Sequence, residues 1–260
     1  MKYLLLIFII TSTFLSANTN KKQCLTKGDG YIFAGGECIQ YKDYEGDKDG
    51  SLNIVVHGAW KNGTNILARY APFAETLNMN TDITTVAIAL PGYSDSSTNN
   101  FTGLLNKGHN KPYLVGKKEY IEFMSDLVLK LKNKYNAKTV NYISHSAGAI
   151  LGATLTGYSP KLIQNIVCAG GGYDLHKMKE NSSDLISLVD VINSVDKSTN
   201  FLIIYGTKDT ISPSKRNKNF HKFLLEHNLN SKLVEVTDAV HIDLDMTDTS
   251  VDAITDMLDY

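Results

Sequence analysis

Excess charge of either sign is missing from this 260-residue chain, whose 26 basic and 27 acidic residues leave a net charge of −1. Nothing in that balance attracts a polyanion, so neither nucleic acid nor an anionic membrane surface is an expected partner. The one basic run, Lys215-Arg216-Asn217-Lys218, reads as a solvated helix face. Metal-ligand spacing is missing too: no two histidines stand at zinc spacing with a third ligand, and no metal site is expected. Asp47-Lys48-Asp49-Gly50 superficially suggests a calcium loop. Aligning Gly50 with that loop's glycine puts Val56 where a bidentate Glu is required, so the match fails. Internal repeats and low-complexity tracts are absent. So is a long apolar run: Tyr3 to Leu15 is broken by Thr11, Ser12 and Thr13 and falls short of the about 20 residues a membrane span needs.

With Lys2 before it and the small-residue site Leu15-Ser16-Ala17 after it, that short run reads as a cleaved signal peptide over residues 1–17. The remainder, 18–260, fits a single domain. The expected destination is the periplasm or the medium, with no membrane span left after cleavage. No cysteine follows the cleavage site closely, which argues against a lipid anchor. Export permits disulfides. Of three cysteines, Cys24 and Cys38 flank a Gly-rich stretch that reads as a hairpin, and they are the expected pair. Cys168, in the apolar run Ile166-Val167-Cys168-Ala169, reads as a buried strand thiol.

What the chain does contain is an alternation of strands and helices. Tyr31-Ile32-Phe33 and Cys38-Ile39-Gln40-Tyr41 form the arms of a hairpin around Gly35-Gly36. Strands are expected over Leu52–Val56, Thr84–Leu90, Thr139–Ile143, Leu162–Ala169, Phe201–Tyr205 and Lys232–Val236. Helices are expected over Asn65–Leu77, Glu119–Tyr135, Ala147–Leu155, Leu185–Val195, Ser214–His227 and Thr249–Leu258, the second carrying Tyr120, Phe123, Met124, Leu127 and Leu131 on one face. Continuous apolar strands separated by helices predict an α/β fold, a mostly parallel sheet covered on both faces. A polar loop from Ser97 to Lys117 lies where it could cover part of a ligand pocket. The interval between Ala169 and Phe201 has room for a helix and a small flap, so the cap is small or absent.

In such sheets ligands bind beyond the C-terminal strand ends, and the chemically interesting residues all follow strands. Tyr142-Ile143-Ser144-His145-Ser146-Ala147-Gly148 is a strand, a small-residue bend and the start of a small-residue helix. A serine at that bend is pushed out of the backbone, free to attack a carbonyl. Serine needs a base, and the base needs a carboxylate to set its tautomer and balance the imidazolium. Asp209 follows one later strand and His241 the last, giving the order Ser146, Asp209, His241. Asp174, also after a strand, is the rival acid. Ser146 alone also reads as a helix N-cap. The other histidines fit the base role less well: His57 and His145 lie in motifs beside the site, His109 and His176 in loops, His221 and His227 in a helix.

These residues give the chain a resemblance to the α/β-hydrolase superfamily over nearly its whole mature length. It is carried by His57-Gly58-Ala59-Trp60, Ser144-His145-Ser146-Ala147-Gly148, Tyr205-Gly206-Thr207-Lys208-Asp209, His241 after the final strand, and Pro91-Gly92-Tyr93-Ser94-Asp95-Ser96. The resemblance implies a central sheet with an N-terminal hairpin, and an oxyanion hole formed by the backbone N–H groups of Ala59 and Ala147. It places Trp60 and Tyr93 as pocket candidates, with simple packing as the competing role for each. One departure stands out: Ser144 occupies the position where the family's elbow has glycine. The implied reaction is hydrolysis of a small-molecule carboxylic ester through an acyl-enzyme on Ser146, with no cofactor. A thioesterase or peptidase-like hydrolase, or a non-catalytic secreted binding protein of the same fold, stays open beside it.

Overall fold

The computed structural model describes residues 21–60, 64–93 and 111–259. The expected signal peptide, the residues Ser94-Asp95-Ser96, His109 and most of the Ser97–Lys117 loop lie outside them.

The chain begins with β1 (Tyr31–Ala34) and β2 (Glu37–Tyr44), paired antiparallel with Tyr31 opposite Gln40. The turn residues Gly35 and Gly36 have φ of 53° and 86°, the left-handed pair that a two-residue hairpin requires and glycine supplies without a steric cost. Cys24 and Cys38 are joined by a disulfide, as expected. It ties the hairpin to the residues before it. Cysteine pairs closing loops of this size hold about 2–3 kcal/mol by limiting the unfolded chain. Reduction, or Cys24→Ser with Cys38→Ser, is therefore expected to lower Tm by several degrees in a thermal melt. An unchanged Tm would show that the hairpin is held by packing alone.

Six further strands complete the sheet: β3 (Ser51–Val56), β4 (Thr85–Ile88), β5 (Thr139–His145), β6 (Asn165–Ala169), β7 (Asn200–Gly206) and β8 (Asn230–Val236). Their order is β1-β2-β4-β3-β5-β6-β7-β8. β2 meets β4 antiparallel, and every pairing from β4 to β8 is parallel.

Side chains alternate faces along a strand, and each face has its own core. Ile54, Val56 and Tyr142 pack beneath α2 (Lys118–Lys134), α3 (Ala147–Tyr158) and α4 (Ser214–Glu226), with Met124, Leu127, Leu151, Leu155 and Phe220. Val55, Ile143, Val167 and Leu202 pack on the opposite face with Tyr70, Leu77 and Ile254 of α1 (Ile66–Thr81) and α5 (Asp248–Leu258). The Asn65 side chain caps α1 by accepting from the Ala68 N–H at 3.0 Å.

The stretch Leu185–Val195 is the one expected helix that does not form as such. It contains a single α-turn, Leu188–Val191, followed by a 3-10 turn, Ile192–Ser194. Ser187 ends the preceding extended segment and caps the turn, and Asp190 accepts from the Ser187 N–H at 2.8 Å. The Ile186 N–H is committed to the Gly116 carbonyl at 2.7 Å. The apolar spacing is helical, but the backbone at 185–187 is spoken for elsewhere.

A row of amides crosses the parallel part of the sheet. Asn141 donates to Asn53 (2.8 Å), Asn165 to Asn141 (2.8 Å), Asn200 to Asn165 (2.9 Å) and Asn230 to Asn200 (3.2 Å). Asn53 in turn donates to the Thr85 hydroxyl at 3.0 Å. Each rung joins residues that are direct partners in the strand register.

Candidate active site

β3 and β5 are neighbours with Val56 opposite Ser144, so the segments leaving their C-terminal ends emerge side by side. A Cβ on Gly58 would stand 2.7 Å from the Ser146 Cβ. Ser146 links β5 directly to α3 with φ 54° and ψ −117°, a conformation unfavourable for a residue with a Cβ. Strain of this kind persists only where the surroundings over-determine it. Here the Ser146 N–H is bound to the Ala169 carbonyl at 2.9 Å, and the serine carbonyl accepts the first helical bonds of α3 from Ala149 and Ile150. Ser144, in the expected glycine position, is buried and donates its hydroxyl to the Val167 carbonyl at 2.6 Å. The larger side chain is thus absorbed by the neighbouring strand.

The structure brings Ser146, His241 and Asp209 together. His241 Nε2 lies 2.8 Å from Ser146 Oγ, and His241 Nδ1 lies 2.7 Å from Asp209 Oδ2. An ionised carboxylate only accepts, so the proton is on Nδ1 and Nε2 is left to accept from the serine hydroxyl. Asp209 Oδ1 accepts from the N–H groups of Ile211 (2.9 Å) and Ser212 (2.7 Å). Burial pushes the Asp209 carboxyl upward. The His241 hydrogen bond and the two backbone N–H groups outweigh that push and hold it below its ordinary value. The rival, Asp174, is engaged elsewhere: it caps the Lys177 N–H at 3.2 Å and pairs with the Lys177 ammonium at 2.9 Å. Gly170 follows β6 with φ 56°, and a Cβ there would stand 3.1 Å from the His241 ring. Glycine at this position both permits the turn and makes room for the imidazole.

Ala147 opens α3, so its N–H has no partner inside the helix. Among the described residues no hydrogen bond engages the N–H of Ala59 or Ala147. The Gly58–Ala59 peptide is fixed from behind. His57 Nε2 accepts from the Leu90 N–H at 2.9 Å, which leaves Nδ1 to donate to the Gly58 carbonyl at 2.7 Å. In a trans peptide C=O and N–H point opposite ways, so this bond turns the Ala59 N–H away from His57. Burial pushes the His57 imidazole down to about 4, against the Gly58 hydrogen bond, with His145 adding to the drop. His57 is therefore neutral, as a donor–acceptor pair of this kind requires.

Trp60 sits edge-on to Tyr70, with ring centroids 6.4 Å apart, under the Arg69 guanidinium at 4.6 Å. Tyr93 is buried and edge-on to Tyr120 at 6.0 Å, packed in the core. Neither location had a clear sequence signal separating pocket from packing. The exposed apolar side chains Ile211, Val240 and Ile242 (64%, 45% and 50%) each lie within two residues of Asp209 or His241, alongside the exposed charges of Lys208 and Asp243. Farther along the strand ends, an open cleft of about 310 Å³ lies between Tyr173, Met178, Pro213 and Arg216. Sequence reasoning also passed over Tyr70 and Asp245, both buried beside the site. Their nearness to His241 exists only in the fold, although Asp245 does stand four residues after it.

No family model and no curated protein matches this sequence. Solved structures do. The Pyrococcus furiosus esterase Pf2001 superposes with a TM-score of 0.64 at 19% identity, covering 88% of this chain and 90% of that one. The esterase PE8 gives 0.62 at 14% identity, over 85% and 97% of the two chains. Est1E of Butyrivibrio proteoclasticus, solved with ferulic acid bound, gives 0.59 at 14% identity over 88% and 96%. At these identities the likeness establishes the fold: an open, mostly parallel eight-stranded sheet of α/β-hydrolase type.

Proposed function

We propose that the protein is a serine hydrolase that cleaves carboxylic esters through an acyl-enzyme on Ser146. The observation that carries this reading is the unbroken hydrogen-bonded chain from Ser146 Oγ through His241 to Asp209, mounted on a serine with φ of 54°. A helix cap needs neither the strain nor the histidine.

Each step follows from an atom already placed. Ser146 Oγ attacks the ester carbonyl as His241 Nε2 takes its proton. Asp209 balances the imidazolium and keeps Nδ1 protonated. The carbonyl oxygen, now negative, turns toward the N–H groups of Ala59 and Ala147. Donors of this kind contribute about 2.7–4 kcal/mol each when removed in serine hydrolases. The C–O bond breaks as Nε2 gives its proton to the departing alcohol. Water then attacks the acyl carbon as it loses a proton to Nε2, and the C–Oγ bond breaks as Nε2 returns that proton to Ser146 Oγ, releasing the acid. This sequence uses only groups of the chain and water.

Similar structures include esterases, and the exposed side chains of Ile211, Val240 and Ile242 suit an ester with hydrocarbon on at least one side of the scissile bond. No helix among the described residues is long and apolar enough to cross a membrane. The Cys24–Cys38 disulfide fits an exported protein, and we read residues 1–17 as the signal that exports a single domain, 18–260. A fluorophosphonate probe tests the reading directly. Folded wild-type protein should be labelled at Ser146 and Ser146→Ala should not. Absence of labelling on folded wild-type protein would leave a binding protein of this fold as the better account.

A further inference from the structure

The short turn that carries His241 is gripped along its backbone from two sides. From β5, His145 Nε2 stands 2.8 Å from the His241 carbonyl oxygen. From α1, the Arg69 guanidinium reaches the Ile242 carbonyl at 2.9 Å and the Asp243 carboxylate at 2.6 Å. Arg69 is partly exposed, and surface ion pairs hold little. The His145 contact is different, because His145 is 3% exposed.

Its chemistry is fixed by elimination. A carbonyl oxygen only accepts, so His145 Nε2 carries a proton. Burial holds His145 below its ordinary pKa, so the ring is neutral and Nδ1 is a bare acceptor. The Tyr70 hydroxyl lies 3.4 Å from that nitrogen, a long contact whose only useful polarity is O–H toward Nδ1. The contact supports the tautomer that donates to the His241 carbonyl, with the Asp245 carboxylate a second acceptor near the same hydroxyl. Tyr70 is 1% exposed and packed between the His57 and Trp60 rings, with centroids at 5.9 Å and 6.4 Å. It has no freedom to serve solvent.

Behind Tyr70 lies Asp245, 2% exposed, on the same 3-10 turn as His241. Its charge bears on both Tyr70 and His145. Its Oδ1 and the Trp60 Nε1 are buried without a hydrogen-bond partner among the described residues. A fold built only for stability places leucine or phenylalanine at such positions, since an unmet buried polar group is costly. Polar groups that break this rule gather where a fold serves chemistry.

From this arrangement we propose that His145 is a positioning residue for the base: with Tyr70 and Asp245 behind it, it clamps the His241 carbonyl and so holds the imidazole between Ser146 and Asp209. The inference rests on the reading of His241 as general base. The His145 ring lies 4.8 Å from the His241 ring, and among the described residues its nitrogens contact the Tyr70 hydroxyl and the His241 carbonyl, so its hydrogen bonds reach the reacting atoms through His241. Misplacement of a reacting group by about 1 Å can cost 100-fold in rate.

The test compares His145→Leu, which loses the donor, with His145→Gln, whose amide N–H can reach the same carbonyl. His145→Leu is expected to lower kcat for a p-nitrophenyl ester by about 30-fold with KM within threefold. His145→Gln is expected to recover most of that loss. A second readout needs no turnover: the proton on His241 Nδ1 should give a sharp downfield NMR signal in the free wild type and in His145→Gln, and a broadened or missing one in His145→Leu. If His145→Leu does not fold, Tyr70→Phe carries the test, with the same broadening and a kcat loss of about fivefold at unchanged KM. A folded His145→Leu, or in its place Tyr70→Phe, with wild-type kcat and an unchanged signal overturns the proposal. So does a His145→Gln as impaired as His145→Leu. A wild type that neither labels nor turns over esters refutes the hydrolase reading, whereas the NMR comparison still decides the clamp.

Discussion

Asp209→Asn is expected to lower kcat about 10,000-fold while the protein stays folded and KM moves little. The loss follows from how the carboxylate is held. Asp209 Oδ1 already accepts from two backbone N–H groups, those of Ile211 and Ser212, so an asparagine would turn its carbonyl oxygen to them. Its amide NH2 would then face His241 Nδ1, where Oδ2 now stands 2.7 Å away. Two donors cannot share one contact, so the histidine would move its proton to Nε2. That nitrogen faces Ser146 Oγ at 2.8 Å and could no longer take the serine proton. Wrong-tautomer variants of serine hydrolases lose about four orders of magnitude in this way. Steady-state kinetics on a p-nitrophenyl ester gives the answer. A loss below tenfold would mean that Asp209 neither sets the tautomer nor balances the imidazolium. Fluorophosphonate labelling should slow in parallel, because the probe depends on the same proton transfer.

Between pH 7 and pH 4 the folded state is expected to lose about 3 kcal/mol through His57 alone. The buried ring takes a proton only near pH 4, whereas in the unfolded chain it does so near pH 6.5. Above about pH 6.5 both states hold a neutral ring and His57 has no effect on stability. As the pH falls from there, the unfolded state binds more protons than the folded one, so stability falls. At 1.36 kcal/mol per unit, the gap amounts to about 3 kcal/mol by pH 4. His145, also held low by burial, adds in the same direction. Urea unfolding of wild type and His57→Gln at pH 7 and pH 4.5 isolates the term. Glutamine offers an N–H for the Gly58 carbonyl and an oxygen for the Leu90 N–H, so it keeps both bonds that His57 makes. Its stability should fall distinctly less between the two pH values. Equal losses would show that the ring is more open to water than its packing indicates.

Much of this site could be read from the sequence because its parts are punctuated locally. A β-branched strand, a knot of small residues and a small-residue helix announce Ser146, and the positions of Asp209 and His241 just after strands follow from element order alone. The sequence reading favours Asp209 over Asp174 although both follow strands, and the packing adds that Asp174 is bound to Lys177. The helix expected over Leu185–Val195 failed for a related reason. Its apolar period is real, but the Ile186 N–H is held by Gly116, a contact far away in sequence. Tyr70 was invisible as a site residue because an aromatic on the buried face of a helix looks the same whether or not its hydroxyl faces a polar group. For Ser144, sequence showed only a side chain where glycine was expected, and the bond to Val167 explains why the bend accepts it.

The amide row across β3, β5, β6, β7 and β8 bears on how the chain finds its fold. A strand that slips by one residue turns its apolar side chains to the wrong face and is rejected by burial alone. A slip of two residues keeps every side chain on its proper face, and these strands are aliphatic enough to tolerate it. The amides tell the two arrangements apart. Shifted by two, Asn141 would face Val55 or Ser51 instead of Asn53, and buried amides would lose their partners at about 1–3 kcal/mol each. The same slip would carry Ser146 about 7 Å along the strand axis, out of line with Gly58 and Ala59. The two buried members of the row, Asn53 and Asn141, thus act as a ruler between β3 and β5, disfavouring misaligned sheets in which Ser146 and the Ala59 N–H never meet.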